Sequence, residues 1–250
     1  MQRGQDPSFC YYGQALTYRF KKDESVCTRK EKGVIGIDIN ADHLAVTETD
    51  AHGNPIRTQS IPLHTYGKSK AQAEALIGDV AKQITAHAER AQKSIVVEEL
   101  DFSRKKKELA DNYNPSYARM LSSFSYRKIT TMIRSRSHRF GVEVLSVHPA
   151  YTSLIGKTKY AIRYGLTIHT AAALCIARRG LGFLEKQPRQ LGHIPTGKGD
   201  YVTLTQPVRN RVEHSKSFWK ALSQELKAGH GVRSQTTKKS IRQTAFCLSG

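Results

Sequence analysis

Two acidic residues of this chain stand at the ends of short apolar runs. Asp38 closes the run in GVIGIDIN, and Glu98 follows the run in SIVVEELDF. Apolar runs this short and this rich in β-branched residues predict buried strands rather than helices. A carboxylate at the end of a buried strand is costly unless it is paired or holds a metal. Two such carboxylates on adjacent strand ends can hold Mg²⁺ for phosphodiester hydrolysis, although each acid alone could be an ordinary solvated strand end.

The elements that must position these acids follow from the rest of the pattern. After the Asp38 strand, Leu44 and Val46 alternate with polar neighbours, and the turn at residues 52–55 leads into a third strand over residues 56–61. Beyond it the pattern predicts a helix over residues 69–93, the Glu98 strand, a helix over 114–141, a strand over 142–147, a loop over 148–165 and a helix over 167–179. This βββαβαβα order predicts an α/β fold with a mixed five-stranded sheet flanked by helices.

The composition points to a polyanionic partner. Against 40 Lys and Arg residues the chain has 21 Asp and Glu residues, which gives a formal net charge of +19. So large an excess spread along the chain predicts a nucleic-acid-binding surface, with a merely basic solvated surface as the alternative. We expect no membrane partner because no apolar stretch approaches the ~20 residues of a membrane span. We expect no zinc because none of the four cysteines forms a CxxC pair.

Four segments occur in an order that resembles a known family. They are GIDINADHLAVTETDAHGNP, IVVEELDF, FSYRKI and VHPAYTSLIGKTKYAIRYGLTIHTAAALCIA, within roughly residues 15–182. They resemble the RuvC-like nuclease domain of TnpB (OrfB-type) transposon-associated proteins, relatives of the type V CRISPR effectors. The resemblance implies an RNase H-like fold, a setting in DNA transposition, and DNA cleavage that depends on Mg²⁺ (or Mn²⁺) and is guided by RNA. It matches Asp38 to the first catalytic Asp and Glu98 to the Glu of the second motif.

The chain departs from the family at the third acid. The family pattern Asp-x-Asn-Ala-Ala-x-Asn-Ile opens the last helix, and here His169 stands at the position of the Asp. No Asp or Glu occurs between Glu143 and Glu185 that could replace it. His169 is therefore either a third, weaker metal ligand, since imidazole is softer than carboxylate and suits Mg²⁺ poorly, or a helix residue satisfied by a backbone group.

The resemblance also implies a division of the chain. In the family, the recognition domain and most of the wedge domain precede the nuclease. We therefore expect residues 1–32 to be a remnant of the wedge domain, with a predicted strand over 14–21. Residues 33–184 would form the nuclease domain, and residues 185–250 a basic, partly disordered tail with one helix over 211–227. The chain would then be a fragment or a minimised variant. We expect a cytoplasmic, nucleoid-associated location in a prokaryote.

Two groups of basic residues are candidate nucleic-acid contacts. Arg104, Lys105, Lys106 and Lys107 follow the Glu98 strand closely, and the long helix carries Arg127, Lys128, Arg134 and Arg136 among aromatic residues. Such surfaces can track a phosphate backbone, although a solvated charge run explains the first group, Arg104 to Lys107, equally well. The sequence thus predicts a metal-dependent DNA endonuclease with DNA and a guide RNA as partners. The alternative is a catalytically inactive nucleic-acid-binding remnant of the same family.

Overall fold

A computed structural model of the chain describes residues 26–99, 123–186, 193–195, 201–203 and 215–229. Three predicted features lie outside these residues. They are the strand over 14–21, the basic run Arg104 to Lys107, and the start of the long helix near residue 114.

Five strands form one mixed sheet. They are β1 (Val34–Ile39), β2 (His43–Thr49), β3 (Pro55–Pro62), β4 (Ser94–Glu98) and β5 (Val144–Val147), in the spatial order β3-β2-β1-β4-β5. The first three strands pair antiparallel, whereas β4 is parallel to β1 and β5 is parallel to β4. The predicted α/β fold, a mixed five-stranded sheet of the RNase H-like type, is therefore confirmed.

The central strand β1 divides its residues between the two faces of the sheet, as the twofold period of a strand requires. Ile35 and Ile37 point to the first face, where they join a buried apolar core. Two helices cover this face, α1 (Lys70–Ala91) and α2 (Ser123–Arg139). Helix α1 begins with a capping box between Ser69 and Gln72, which satisfies backbone groups at its start.

After β5, the prediction of a loop over residues 148–165 is wrong. It contains the short helix α3 (Thr152–Ile155), a π-helical turn (Gly156–Ala161) and the short helix α4 (Ile162–Tyr164). The buried positions explain the error, since Ile155 and Gly156 are followed by Tyr160 and Ala161 at a spacing of five. A π-turn breaks the 3.6-residue period on which recognition of a helix in the sequence depends.

The second face of the sheet carries α5 (Ile168–Gly180), which lies directly on β1. A Cβ atom at Gly36 would lie 2.1 Å from the carbonyl oxygen of Ala173 and 2.7 Å from the backbone nitrogen of Ala177. Glycine at position 36 therefore permits the close approach of the helix to the strand. The Thr47 hydroxyl of β2 donates to the Thr170 carbonyl at 2.8 Å, which fixes the start of α5 over the sheet.

An outer layer covers the other side of α5. It consists of the helical segment from α3 to α4 and of α6 (Ser215–Gly229), whose Phe218, Trp219 and Leu222 are buried in an apolar cluster. All residues from Thr170 to Ala177 are consequently buried. Helix α5 therefore packs on both sides, against the sheet and against this outer layer.

The remaining described elements follow α5. Strands β6 (His193–Pro195) and β7 (Tyr201–Thr203) pair antiparallel in a small second sheet, which the sequence pattern did not predict because each strand has only three residues. Helix α6 corresponds to the helix expected over 211–227. No helix in the described part of the chain is long and apolar enough to cross a membrane.

Candidate active site

The structure brings Asp38 and Glu98 together at one edge of the sheet. Strands β1 and β4 are parallel and adjacent, with Ile37 opposite Val97, and each acid is the next residue of its strand. Adjacent strands lie about 4.8 Å apart. Because Ile37 and Val97 point into the core on the first face, both acids point to the second face, on which α5 lies. The two positions are thus side by side, and their catalytic role stays a prediction.

Asp38 is almost buried, with 9% of its surface exposed. The side-chain amide of Asn40 donates to Asp38 Oδ2 at 3.0 Å, so a neighbour just beyond the strand helps to orient the carboxylate. His169 approaches the same oxygen, with 3.5 Å between Nδ1 and Oδ2. It is the second residue of α5, after the N-cap Thr167, so the positive end of the helix dipole also faces Asp38.

The pairing with Asp38 changes the acidity of His169. The Asp38 carboxylate raises the pKa of His169 above its usual value, and partial burial of the imidazole opposes this shift. Protonated imidazole is thereby favoured beside the carboxylate. Neither of the two interpretations drawn from the sequence anticipated this ion pair, and the role of His169 as a metal ligand stays a prediction.

Two residues that the sequence did not single out extend this arrangement. The His43 ring packs edge-on against the His169 ring, with 4.8 Å between centroids, and His43 Nδ1 lies 2.7 Å from Asp42 Oδ1. The hydrogen bond with His43 lowers the pKa of Asp42. Asp42 lies in the tight connection directly after the Asp38 strand, and His43 is the first residue of β2. Their closeness in sequence to Asp38 was the signal available in the sequence.

Glu98 is held by groups from two other elements. The Thr152 hydroxyl donates to Glu98 Oε1 at 2.5 Å, and the Tyr126 hydroxyl donates to the Glu98 carbonyl oxygen at 2.7 Å. Burial raises the pKa of Tyr126 strongly, and the negative charges of Glu98 and Asp38 raise it further. Tyr126 is therefore a neutral hydrogen-bond donor at physiological pH. In the sequence, Tyr126 was only one of the aromatic residues beside the basic residues of the long helix, and Thr152 lay in a predicted loop.

The predicted basic residues are only partly near this edge. Helix α2 packs on the first face, opposite α5, but its start reaches the edge because Tyr126 contacts Glu98. Arg127 is the next residue and is exposed. Further along α2, Lys128 pairs with Glu74 at 2.8 Å and Arg134 donates to the Ser146 hydroxyl. Arg136 lies one turn beyond Met132 and two turns beyond Lys128 and is half-buried, so it is farther along the helix from the acids than Arg127 is.

The donor chemistry of the site fits a hard divalent cation in part. Magnesium takes oxygen ligands and is commonly held by one or two carboxylates together with waters and phosphate oxygens. Asp38 and Glu98 supply such a pair at one edge. Among the residues that the structure describes, no three His, Cys, Asp or Glu side chains are grouped to hold one ion.

The strand order and strand directions together define an α/β fold of the RNase H-like type. No family model matches the chain, and no curated protein matches it.

Solved structures with a similar fold are known. RuvC of Thermus thermophilus in complex with a Holliday junction substrate is 18% identical, over 58% of this chain and 89% of that one, with a TM-score of 0.42. A second Thermus thermophilus RuvC structure is 16% identical, over 58% and 90%, with a TM-score of 0.42. Cas12f1 in a complex with sgRNA and target DNA is 18% identical, over 60% of this chain and half of that one, with a TM-score of 0.43.

Proposed function

We propose that the chain is a metal-dependent DNA endonuclease of the RuvC-like type, related to the TnpB transposon-associated proteins. The observation that supports this function best is the placement of Asp38 and Glu98. They end two adjacent parallel strands on the face that carries α5, and the first turn of that helix lies against Asp38. Residues 60 positions apart in the sequence thus meet at one edge of the sheet.

In this function Asp38 and Glu98 would hold Mg²⁺ or Mn²⁺. A bound divalent cation at such a site activates a water and stabilises the leaving oxygen of the phosphodiester. The chain itself orients the two carboxylates through Asn40 and Thr152. The Tyr126 hydroxyl fixes the end of β4 by its bond to the Glu98 carbonyl.

His169 would act beside Asp38. Its protonated form offsets the charge of the Asp38 carboxylate, and its neutral form offers a nitrogen ligand that is softer than carboxylate. Both forms keep the first turn of α5 against the end of β1. We propose His169 as a third and weaker ligand in the neutral form.

The proposed substrate is DNA, because a net charge of +19 attracts a polyanion. Arg127 follows Tyr126 directly on α2 and is exposed. Among the basic residues of this helix it is therefore the candidate for a phosphate contact beside the acids. A guide RNA is proposed on the resemblance to the TnpB family. A gel-shift titration with single-stranded and structured RNA, repeated at rising salt, tests this partner, since phosphate contacts weaken steeply with salt.

A plasmid-nicking assay tests the enzymatic function. The wild type is compared with Asp38→Asn in Mg²⁺, in Mn²⁺ and in a chelator, and the matched control is Asp79→Asn, an exposed acid on α1. We expect metal-dependent nicking by the wild type and the control, and a loss of roughly 100-fold or more in Asp38→Asn, comparable to the loss of a major charge-stabilising group. Nicking that survives in Asp38→Asn would exclude this site as its source.

A catalytically silent nucleic-acid-binding protein is the second candidate. One observation favours it, namely that His169 stands where the family has a carboxylate and is paired with Asp38. A wild type without nicking activity, together with a gain of activity in His169→Asp, would identify a disabled nuclease site. In that case DNA binding should persist in Asp38→Asn and should fall steeply with salt.

A further inference from the structure

The segment between β5 and α3 leads into Thr152, the first residue of α3, whose hydroxyl donates to Glu98. Thr152 is almost completely buried, with 2% of its surface exposed, and its Oγ1 lies 2.5 Å from Glu98 Oε1. The Pro149 carbonyl oxygen is farther away, at 3.1 Å. Because a hydroxyl has one proton to donate, the shorter contact assigns that proton to the carboxylate. Thr152 thus makes a charge-assisted hydrogen bond, a class stronger than neutral pairs.

The backbone of this segment has an unusual conformation just before Thr152. Tyr151 has a φ of 62°, in the left-handed region. Residues with a bulky side chain adopt this region rarely and at a cost in free energy, so the surrounding structure must enforce it. The Ala150 amide donates to His148 Nδ1 at 3.1 Å, which closes the turn. The strained residue is therefore part of a defined turn that ends at Thr152.

Arg179 holds the same segment from α5. Its guanidinium donates to the carbonyl oxygen of His148 and, at 3.0 Å, to that of Ala150. The planar fork of an arginine suits two acceptors in one arrangement. Helix α5 thus contacts Asp38 through His169 at its first turn, and it reaches Glu98 through Arg179, this segment and Thr152.

We propose that Thr152 is a positioning residue for Glu98. Its hydroxyl fixes the plane of the Glu98 carboxylate in the orientation that can share a cation with Asp38, and Arg179 holds the segment that presents it. This inference rests on the proposed metal-dependent function. Partners that orient a metal-binding carboxylate in this way typically contribute ~10–100-fold in metal affinity or activity.

A purely structural role for Thr152 makes a different prediction. Thr152 also starts α3 and fills a buried position, and valine has nearly the same shape without the hydroxyl. A packing role would therefore be preserved in Thr152→Val, whereas a positioning role would be lost. Serine keeps the hydroxyl and loses a methyl group, so Thr152→Ser should show the opposite pattern.

The experiment measures Mn²⁺ binding to the full chain by electron paramagnetic resonance, without DNA. The variants are Thr152→Val, Thr152→Ser and Glu98→Gln. The matched control is Thr158→Val, which removes a hydroxyl bonded to the Leu154 carbonyl on the same helical segment. Thermal unfolding is recorded for each variant, and Thr152→Ala replaces the valine variant if the latter does not fold.

We expect Thr152→Val to weaken Mn²⁺ binding ~10-fold or more, while Thr152→Ser and Thr158→Val bind as the wild type does. If Glu98→Gln abolishes binding but Thr152→Val leaves it unchanged, the positioning role is overturned and the metal site stands. If Glu98→Gln leaves Mn²⁺ binding unchanged, the proposed metal site itself fails, and the inference fails with it. Equal weakening in Thr152→Val and Thr158→Val would show a general effect of the helical segment and would also overturn the positioning role.

Discussion

The clearest stability prediction concerns Glu185, a buried acid that follows α5. Its side chain is 3% exposed and accepts three hydrogen bonds. The donors are Lys159 Nζ at 2.5 Å, the Tyr160 hydroxyl at 2.5 Å and Arg178 Nε at 2.8 Å. Two cations and a phenol therefore depend on one carboxylate. The substitution Glu185→Gln keeps the size of the side chain and removes its charge.

The expected loss of folding stability in Glu185→Gln follows from the two cations, Lys159 and Arg178, that remain without their carboxylate partner. Removing one partner of a buried ion pair costs about 3–5 kcal/mol, and the lower end applies because the Lys159 and Arg178 side chains are each 18% exposed. For a domain of this size, about 3 kcal/mol lowers the melting temperature by about 6–12 °C.

Glu185 also gives the prediction a pH dependence. Burial alone would raise the pKa of Glu185, but the hydrogen bonds from Lys159 and Tyr160 outweigh it and leave the pKa below its usual value. A lowered pKa in the folded state stabilises the protein above the unfolded value of about 4.3. This contribution is lost as the pH falls through the folded value, so the difference between wild type and Glu185→Gln should shrink in acid.

The assay follows two probes of unfolding at neutral pH. Trp219 is the single tryptophan of the chain, it is buried on α6, and its Nε1 donates to the Glu185 carbonyl at 3.2 Å. Its fluorescence reports on α6, while far-ultraviolet circular dichroism reports on the whole domain. We expect the two transitions to coincide and to shift together in Glu185→Gln, because α6 packs in one cluster with α5.

The matched control is Glu74→Gln, which breaks the pair with Lys128, whose two side chains are 35% and 33% exposed and so better solvated than those around Glu185. Exposed pairs contribute little to stability, so the melting temperature of this variant should stay close to that of the wild type. A shift below about 2 °C in Glu185→Gln would refute the argument from buried charge. Separate fluorescence and dichroism transitions would instead support the predicted boundary near residue 184, with residues 185–250 as an independent tail.

Two further predictions concern the core of the site. Gly36→Ala should destabilise the fold by ~1–3 kcal/mol or more, because the new methyl group would lie 2.1 Å from the Ala173 carbonyl oxygen and α5 must move away. Denaturant unfolding measures this loss of stability. An unchanged unfolding midpoint would contradict the packing of α5 on β1. His169→Gln should lose stability mainly at acidic pH, since the pKa of His169 is raised by Asp38. This contribution is fully present below the usual value of about 6.5 and is lost as the pH rises through the folded value; a difference in stability that grows toward alkaline pH would contradict the ion pair.

Much of the sheet could be predicted from local pattern because each strand has a strong and simple signal. The β1 and β4 strands are short β-branched runs, and the edge at which Asp38 and Glu98 meet follows once the two strands are parallel neighbours. The end of α2 could also be predicted, because glycine commonly follows the end of a helix. Gly141 adopts a positive φ of 64° just after α2. The strands themselves and the end of α2 depend on residues close together in the sequence, whereas the pairing of β1 with β4 joins distant residues.

The contacts that orient the acids could not be predicted in the same way. Thr152 lay in a segment without helical period because of the π-turn that follows it. The Tyr126 hydroxyl reaches a backbone carbonyl 28 residues away in sequence, and Arg179 reaches back 31 residues to His148. No local pattern marks such pairs, because they arise from the packing of whole elements.

The location of α5 explains why distant substitutions should affect the site. This helix is enclosed between the sheet and the outer layer, and it contacts β1 where Gly36 leaves room for its backbone. Its first turn carries His169 to Asp38, and its last turn carries Arg179 to the segment that ends at Thr152. A close-packed interior transmits displacements rather than absorbing them. A shift of α5 must therefore move, at once, the groups that orient both carboxylates. The outer layer thus contributes to the geometry of both acids, although it contacts only Glu98 directly, through Thr152.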